Sequence, residues 1–133
     1  MMRLLITYWV ATALVALVLG ISGGLAITHS GMMMNGLAHL GYPPYFANLL
    51  GVGKLLGLVI FLAPGVPRLK EWVYAGFTIT VLSACYSHYS SGDGVLALEP
   101  LLTFAALMVS YTTRPHGRSL LRARTGYGKE AKQ

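Results

Sequence analysis

Charge is absent from the longest apolar stretch of this sequence: residues 4–28, "LLITYWVATALVALVLGISGGLAIT", contain no Asp, Glu, Lys or Arg. That absence excludes an ordinary water-facing helix, which needs a polar side. As a helix the stretch would reach about 37 Å at roughly 1.5 Å per residue, enough for a bilayer core of about 30 Å. It is too long for the apolar part of a secretion signal and lacks a small-x-small cleavage site before polar sequence, so it reads as a retained membrane helix. Cysteine is equally scarce. Cys85 is the only one, which excludes an internal disulfide and CxxC exchange chemistry; its apolar surroundings suit a buried structural thiol. No glycine-rich phosphate motif for a flavin or nicotinamide occurs. No recognition module accompanies the basic residues, so nucleic acid is not expected as a partner. His29, His39 and His88 lack compact metal-ligand spacing, and the consecutive Met32, Met33 and Met34 would point in different directions on a helix. No metal site is expected.

What is present is apolar length. Hydrophobic residues make up 55% of the 133 and charged residues 11%, far from soluble usage. Apolar runs near 4–28, 44–63, 71–90 and 95–113 are separated by short connections rich in Gly, Pro, Ser or charge. The expected fold is all-α, a polytopic membrane four-helix bundle over residues 1–113, followed by a basic tail over 114–133. Arg3, Arg68, Lys70 and the tail residues Arg114, Arg118, Arg122, Arg124, Lys129 and Lys132 alternate with connections 29–43 and 87–94, which have no Arg or Lys. This asymmetry places both termini in the cytoplasm of a multi-pass protein of the cell membrane. The tail would be solvated, with weak lipid contact.

Polar residues inside these runs are the candidates for function. In "NLLGVGKLLGLVIFLAP", residues 48–64, Lys54 falls near mid-bilayer, where an unpaired ammonium is costly. It should face the bundle interior, water or an acidic partner, and Glu99, about five residues inside the fourth helix from the same side, is the expected partner. Gly51, Lys54, Gly57 and Phe61 share one helix face, and Glu99, Thr103, Ala106 and Ser110 share another. The pairs Gly20/Gly24 and Gly53/Gly57 make small-x-x-x-small patterns suited to close packing. His88 continues the face of Tyr74, Thr78, Val81 and Cys85, and Asp93 lies in the short turn beyond it. Imidazole and carboxylate there can move a proton or hold a polar head group. Tyr42, Tyr45 and Phe46 in "GLAHLGYPPYF" are expected at the lipid boundary, and Glu71 at a helix N-terminus.

The stretches "LGYPPYFANLLGVGKLLG" and "PRLKEWVYAGFTITVLSACYSHYSSGDG", set among four spans, resemble the DoxX-like family of small membrane proteins. The similarity is strong over about residues 36–94. The resemblance implies a four-helix membrane fold and, in some relatives, association with thiosulfate or quinone-linked redox chemistry. It draws attention to Lys54, Glu71, His88 and Asp93. "GGLAITHS" departs from the family, which often places a basic residue after the glycine-containing segment; His29 stands there instead.

Two functions fit these residues. One is an intramembrane small-molecule or quinone-associated redox site. In it Lys54, His88 and Glu99 are the candidate catalytic groups, Phe61 and Tyr74 flank an apolar ring, and Asp93 joins the ligand-binding set. No cofactor motif is evident, so a bound quinone would have to carry the electrons. The other is a noncatalytic membrane subunit, in which Lys54 and Glu99 are a packing tie and the glycine faces bury against a second copy or another membrane protein. Transport is a third, smaller alternative. Membrane lipid is a partner in every case.

Overall fold

The computed structural model describes residues 1–115 and Arg118, and these residues form an all-α domain. Its helices are α1 (Met2–Ile27), α2 (Gly31–His39), α3 (Phe46–Leu62), α4 (Pro67–Ser90) and α5 (Leu98–Thr112). Apart from Arg114, Pro115 and Arg118, the basic tail expected over 114–133 lies outside the described residues.

The four long apolar runs all become helices, with shifted ends. α4 starts at Pro67 rather than at 71 because a proline in the first turn lacks only an amide that would be unpaired there, and its fixed φ suits a helix. Glu71 consequently lies beyond the first turn. α5 starts at Leu98 rather than near 95, since the chain turns through residues 93–97, with the Ala97 amide bonded to the Asp93 carbonyl. Glu99 therefore sits in the first helical turn, favoured by the helix dipole, and is exposed rather than deep in the helix.

α2 is a further element within the connection 29–43. Ser30 caps it, its hydroxyl accepting from the Met33 amide at 3.2 Å. Gly41, at φ 85°, ends it in a conformation that side chains with a Cβ resist. The Tyr42 amide then returns to the Leu37 carbonyl at 2.9 Å.

α1 packs against α3 and α5, and α4 packs against the same two helices, so α1 lies diagonal to α4 and α3 diagonal to α5. The main core fills the centre with Val15, Leu19, Phe61, Tyr74, Phe77 and Leu107 among others. A smaller cluster of Ala26, Leu37 and Ala47 lies beneath α2, with Met33, Met34, Tyr42 and Phe46 packed on it. Outward faces stay apolar: Leu14, Leu17, Leu49, Leu56, Val59, Trp72, Ile79 and Leu102 are all exposed. Among the described residues one helix, α1, is long and apolar enough to cross a membrane; α3 and α5 are apolar but shorter.

The Glu71 end of the bundle is knitted by buried polar groups. Ser110 of α5 bonds to Thr12 of α1 and to Tyr74 of α4, each at 2.8 Å. Lys70 is buried, and its ammonium donates to the carbonyls of Ile60, Phe61 and Ala63, satisfying the end of α3 where a cation is favoured. Arg118 donates to the Leu62 carbonyl at 3.2 Å and lies over the Trp9 ring. The first basic residues beyond α5 thus belong to the packed domain.

Candidate functional site

A cavity of about 780 Å³ lies between the two apolar clusters, bounded by α1, α2, α3, α4 and α5. Its lining is mostly aliphatic, and its polar members on the helices come from four of them: Ser22 from α1, Lys54 from α3, Thr80, Ser83 and His88 from α4, Glu99 and Thr103 from α5. Such a space, apolar with a few convergent polar groups, is the usual form of a small-molecule site.

Lys54 stands halfway along α3, and its Nζ donates to Ser22 Oγ at 2.6 Å. Glu99 lines the same cavity without forming an ion pair with it; the start of α5 at Leu98 keeps that carboxylate close to the helix end. Thr103 Oγ1 lies 3.3 Å from Glu99 Oε1 as donor. An ammonium and a carboxylate thus face one largely apolar space, each with a neighbouring hydroxyl.

His88 lines the cavity and connects it to the bundle's end. Its Nδ1 lies 3.3 Å from Asp93 Oδ2, which also accepts from His39 Nε2 at 2.8 Å. Gly92, at φ 82°, permits the reversal after α4 that brings Asp93 back to His88. The clasp ties the end of α2 to the α4–α5 turn. Tyr42 Oη bonds Ser87 Oγ at 2.7 Å on the same side, and His29 Nε2 lies 2.7 Å from Asn48 Oδ1. Tyr42 and Phe46, expected at a lipid boundary, are stacked on one another and line the cavity; Tyr45 is exposed.

The remaining candidates lie elsewhere. Phe61 and Tyr74 are fully packed in the main core, edge to face at 5.2 Å, and do not line this cavity. Tyr74 is committed to Ser110 and lies near Arg114. Lys54, His88 and Glu99 therefore share one space, Asp93 adjoins it through His88, and the two aromatic residues belong to the opposite end.

A sequence model of the DoxX-like family matches residues 10–110. The chain belongs to the DoxX-like family. The matched span runs from α1 to the last turns of α5, so it contains every residue of the cavity. No curated protein and no solved structure matches this DoxX-like chain.

Sequence reasoning passed over Ser22 and underused His39. Ser22 is the only hydroxyl between Thr12 and Thr28, and a lone hydroxyl in such a run signals a buried partner. His39 gave no such signal, because α2 brings it to Asp93 across 54 residues of sequence.

The clasp makes a pH-dependent contribution. Desolvation pushes the Asp93 carboxyl up, but hydrogen bonds from His88 and His39 and their charge outweigh it, and the group lies below the usual value of 3.8. A depressed carboxylate contributes stability that is present above the unfolded value and lost as pH falls through the folded one. Asp93→Asn is therefore expected to lower the melting temperature near neutral pH, and the gap to the parent should close as acid protonates the parent's own carboxylate. A gap unchanged well below pH 3.8 would contradict this role.

Proposed function

We propose that this DoxX-like chain is a multi-pass membrane protein, with α1, α3, α4 and α5 crossing the bilayer and both termini cytoplasmic, and that its cavity binds a membrane-dissolved small molecule with an oxygen-bearing head. The apolar outward faces of the helices support the membrane setting. Basic residues gathered at the Glu71 end, against histidines and Asp93 at the other, support the orientation.

The observation that carries the ligand reading is Lys54 facing an apolar cavity with Ser22, Glu99 and His88 around the same space. Lys54 donates to a carbonyl oxygen, Glu99 accepts from a hydroxyl, and His88 exchanges a proton with the Asp93 side of the bundle. The carbonyl of a quinone fits the Lys54 donor and the hydroxyl of its reduced form fits the Glu99 acceptor, and such a ligand would supply the redox chemistry when bound. The protein's own residues bind, orient and move the proton.

The Lys54–Ser22 bond also suits a noncatalytic membrane subunit, in which the lysine ties α3 to α1. One variant separates the two. Lys54→Met is expected to weaken binding of a decyl-substituted benzoquinone about 10- to 100-fold, the worth of a charged hydrogen bond, with melting temperature and oligomeric state unchanged. Equal affinity in a well-folded variant would remove the lysine from the site. A collapsed melting temperature together with no binding by the parent would favour the structural tie.

A further inference from the structure

The cavity has a neighbour on the other side of the α3–α4 seam. An apolar groove of about 360 Å³ lies there, with Gly53, Gly57, Trp72 and Gly76 among its walls. Leu50, Lys54 and Thr80 line both spaces. Lys54 is thus at the junction of the cavity, which is itself partly open, and a surface groove.

α3 and α4 are closely packed from Gly57 toward the Glu71 end, where Lys70 of α4 also donates to the Ile60, Phe61 and Ala63 carbonyls. A Cβ on Gly57 would stand 2.8 Å from the Phe77 ring, and Phe61 meets Tyr74 and Phe77 at 5.2 and 5.6 Å. One turn away toward the Asp93 end, Gly53 has nothing within 4 Å of where its Cβ would be, and neither does Gly76 across the groove. Beyond the Gly57–Phe77 contact, the partition between cavity and groove includes a leucine, a lysine and a threonine, and the first two have long, rotatable side chains.

Resting on the cavity reading above, we infer that the α3–α4 seam is a lateral opening of the site, and that the groove seats the flexible apolar tail of a ligand whose head reaches Lys54 from the bilayer side. The class of ligand follows from the two spaces together. The head is neutral and bears a carbonyl oxygen, because Lys54 offers it a donor and the charges of Lys54 and Glu99 balance within the same cavity. The tail is a single alkyl or prenyl chain, because the groove is apolar and shares with the cavity only Leu50, Lys54 and Thr80 of its lining.

Tail length provides the test. Binding of a decyl-substituted benzoquinone and of its methyl-substituted counterpart would be measured for the parent, Gly76→Leu and Gly24→Leu in one detergent. Leucine at position 76 fills open groove, and Gly24 likewise has nothing within 4 Å but lies outside both spaces. The parent and Gly24→Leu should bind the decyl form at least about tenfold more tightly than the methyl form, less than two buried methylenes provide. Gly76→Leu should bind the methyl form as the parent does and lose the decyl advantage. If Gly76→Leu keeps that advantage, or instead alters the oligomeric state with affinities intact, the lateral seat is overturned and the cavity reading stands. If the parent binds neither probe, the cavity reading itself fails.

Discussion

Arg114→Met is expected to destabilise the folded domain by about 2–4 kcal/mol, a loss in the range for breaking one side of a largely buried ion pair. The Arg114 side chain is 5% exposed, and its Nη1 lies 2.7 Å from Glu71 Oε1, whose side chain is 26% exposed. The guanidinium also donates from Nε to the Tyr111 carbonyl at 2.9 Å and sits 3.9 Å from the Tyr111 ring centre and 4.9 Å from that of Tyr74. Methionine keeps the aliphatic stem and, ending short of the guanidinium, loses all of these contacts. Glu71 then loses its ion pair where water reaches it only in part. Arg114→Lys keeps the charge but not the planar fork that meets carboxylate and ring together, so it should fall between parent and Met. Unfolding in one detergent would check the values, and a cycle with Glu71→Gln would check the cause. The double variant should lose at least about 0.5 kcal/mol less than the sum of the singles. Strict additivity would contradict a coupled pair.

The second large effect is expected where α1 and α3 come closest. A Cβ on Gly51 would lie 2.6 Å from Ile27 Cγ1, 3.0 Å from the Ile27 amide nitrogen and 3.1 Å from the Gly23 carbonyl oxygen. Two of those three atoms are backbone, and isoleucine is stiff near its branch. Relief requires the helices to separate, so Gly51→Ala should destabilise by about 1–3 kcal/mol. Gly53→Ala, two residues on, meets no atom within 4 Å and should be neutral or gain up to about 1 kcal/mol from helix propensity. Opposite signs at two neighbouring glycines are the diagnostic result. Equal losses at both would indicate a general intolerance of α3 rather than a specific contact.

These two sites show what the sequence disclosed and where it fell short. Long apolar runs marked four of the five helices, since an apolar stretch is legible without knowing its neighbours. α2 escaped because its nine residues are held by a serine cap, a left-handed glycine and the cover of Leu37 over Ala26 and Ala47, all local or tertiary details. The small-x-x-x-small patterns named Gly20/Gly24 and Gly53/Gly57, yet Gly24 and Gly53 are open while Gly51 and Gly23 meet each other's helices. Spacing gives a helix face but not the register of the facing helix. The same limit applies to the site. Lys54 had to be turned inward because of its cost in hydrocarbon, and it is. Its hydroxyl partner on α1 depended on the α1–α3 register, which periodicity on α3 alone does not fix.

Arg114 illustrates a different limit. It follows α5 and reads as the first residue of a basic tail, but it folds back between Tyr74 and Tyr111 to meet Glu71. Charge counting along the chain assigns it to the cytoplasmic side and says nothing of its burial. Lys70 is similar. Its three carbonyl acceptors lie on the end of α3, which exposes unpaired oxygens whenever a helix stops. A lysine a few residues after a helix end was the available signal.

The measurement that tests the cavity most directly is native mass spectrometry of the protein gently extracted from its membrane, with lipids and quinones identified in the same sample, for the parent and Lys54→Met. The expected result is a stoichiometric small molecule with an oxygen-bearing head and one apolar tail, retained by the parent and lost from a folded Lys54→Met. A parent that carries no such molecule but copurifies with a defined membrane protein would contradict the ligand site and favour the noncatalytic membrane subunit.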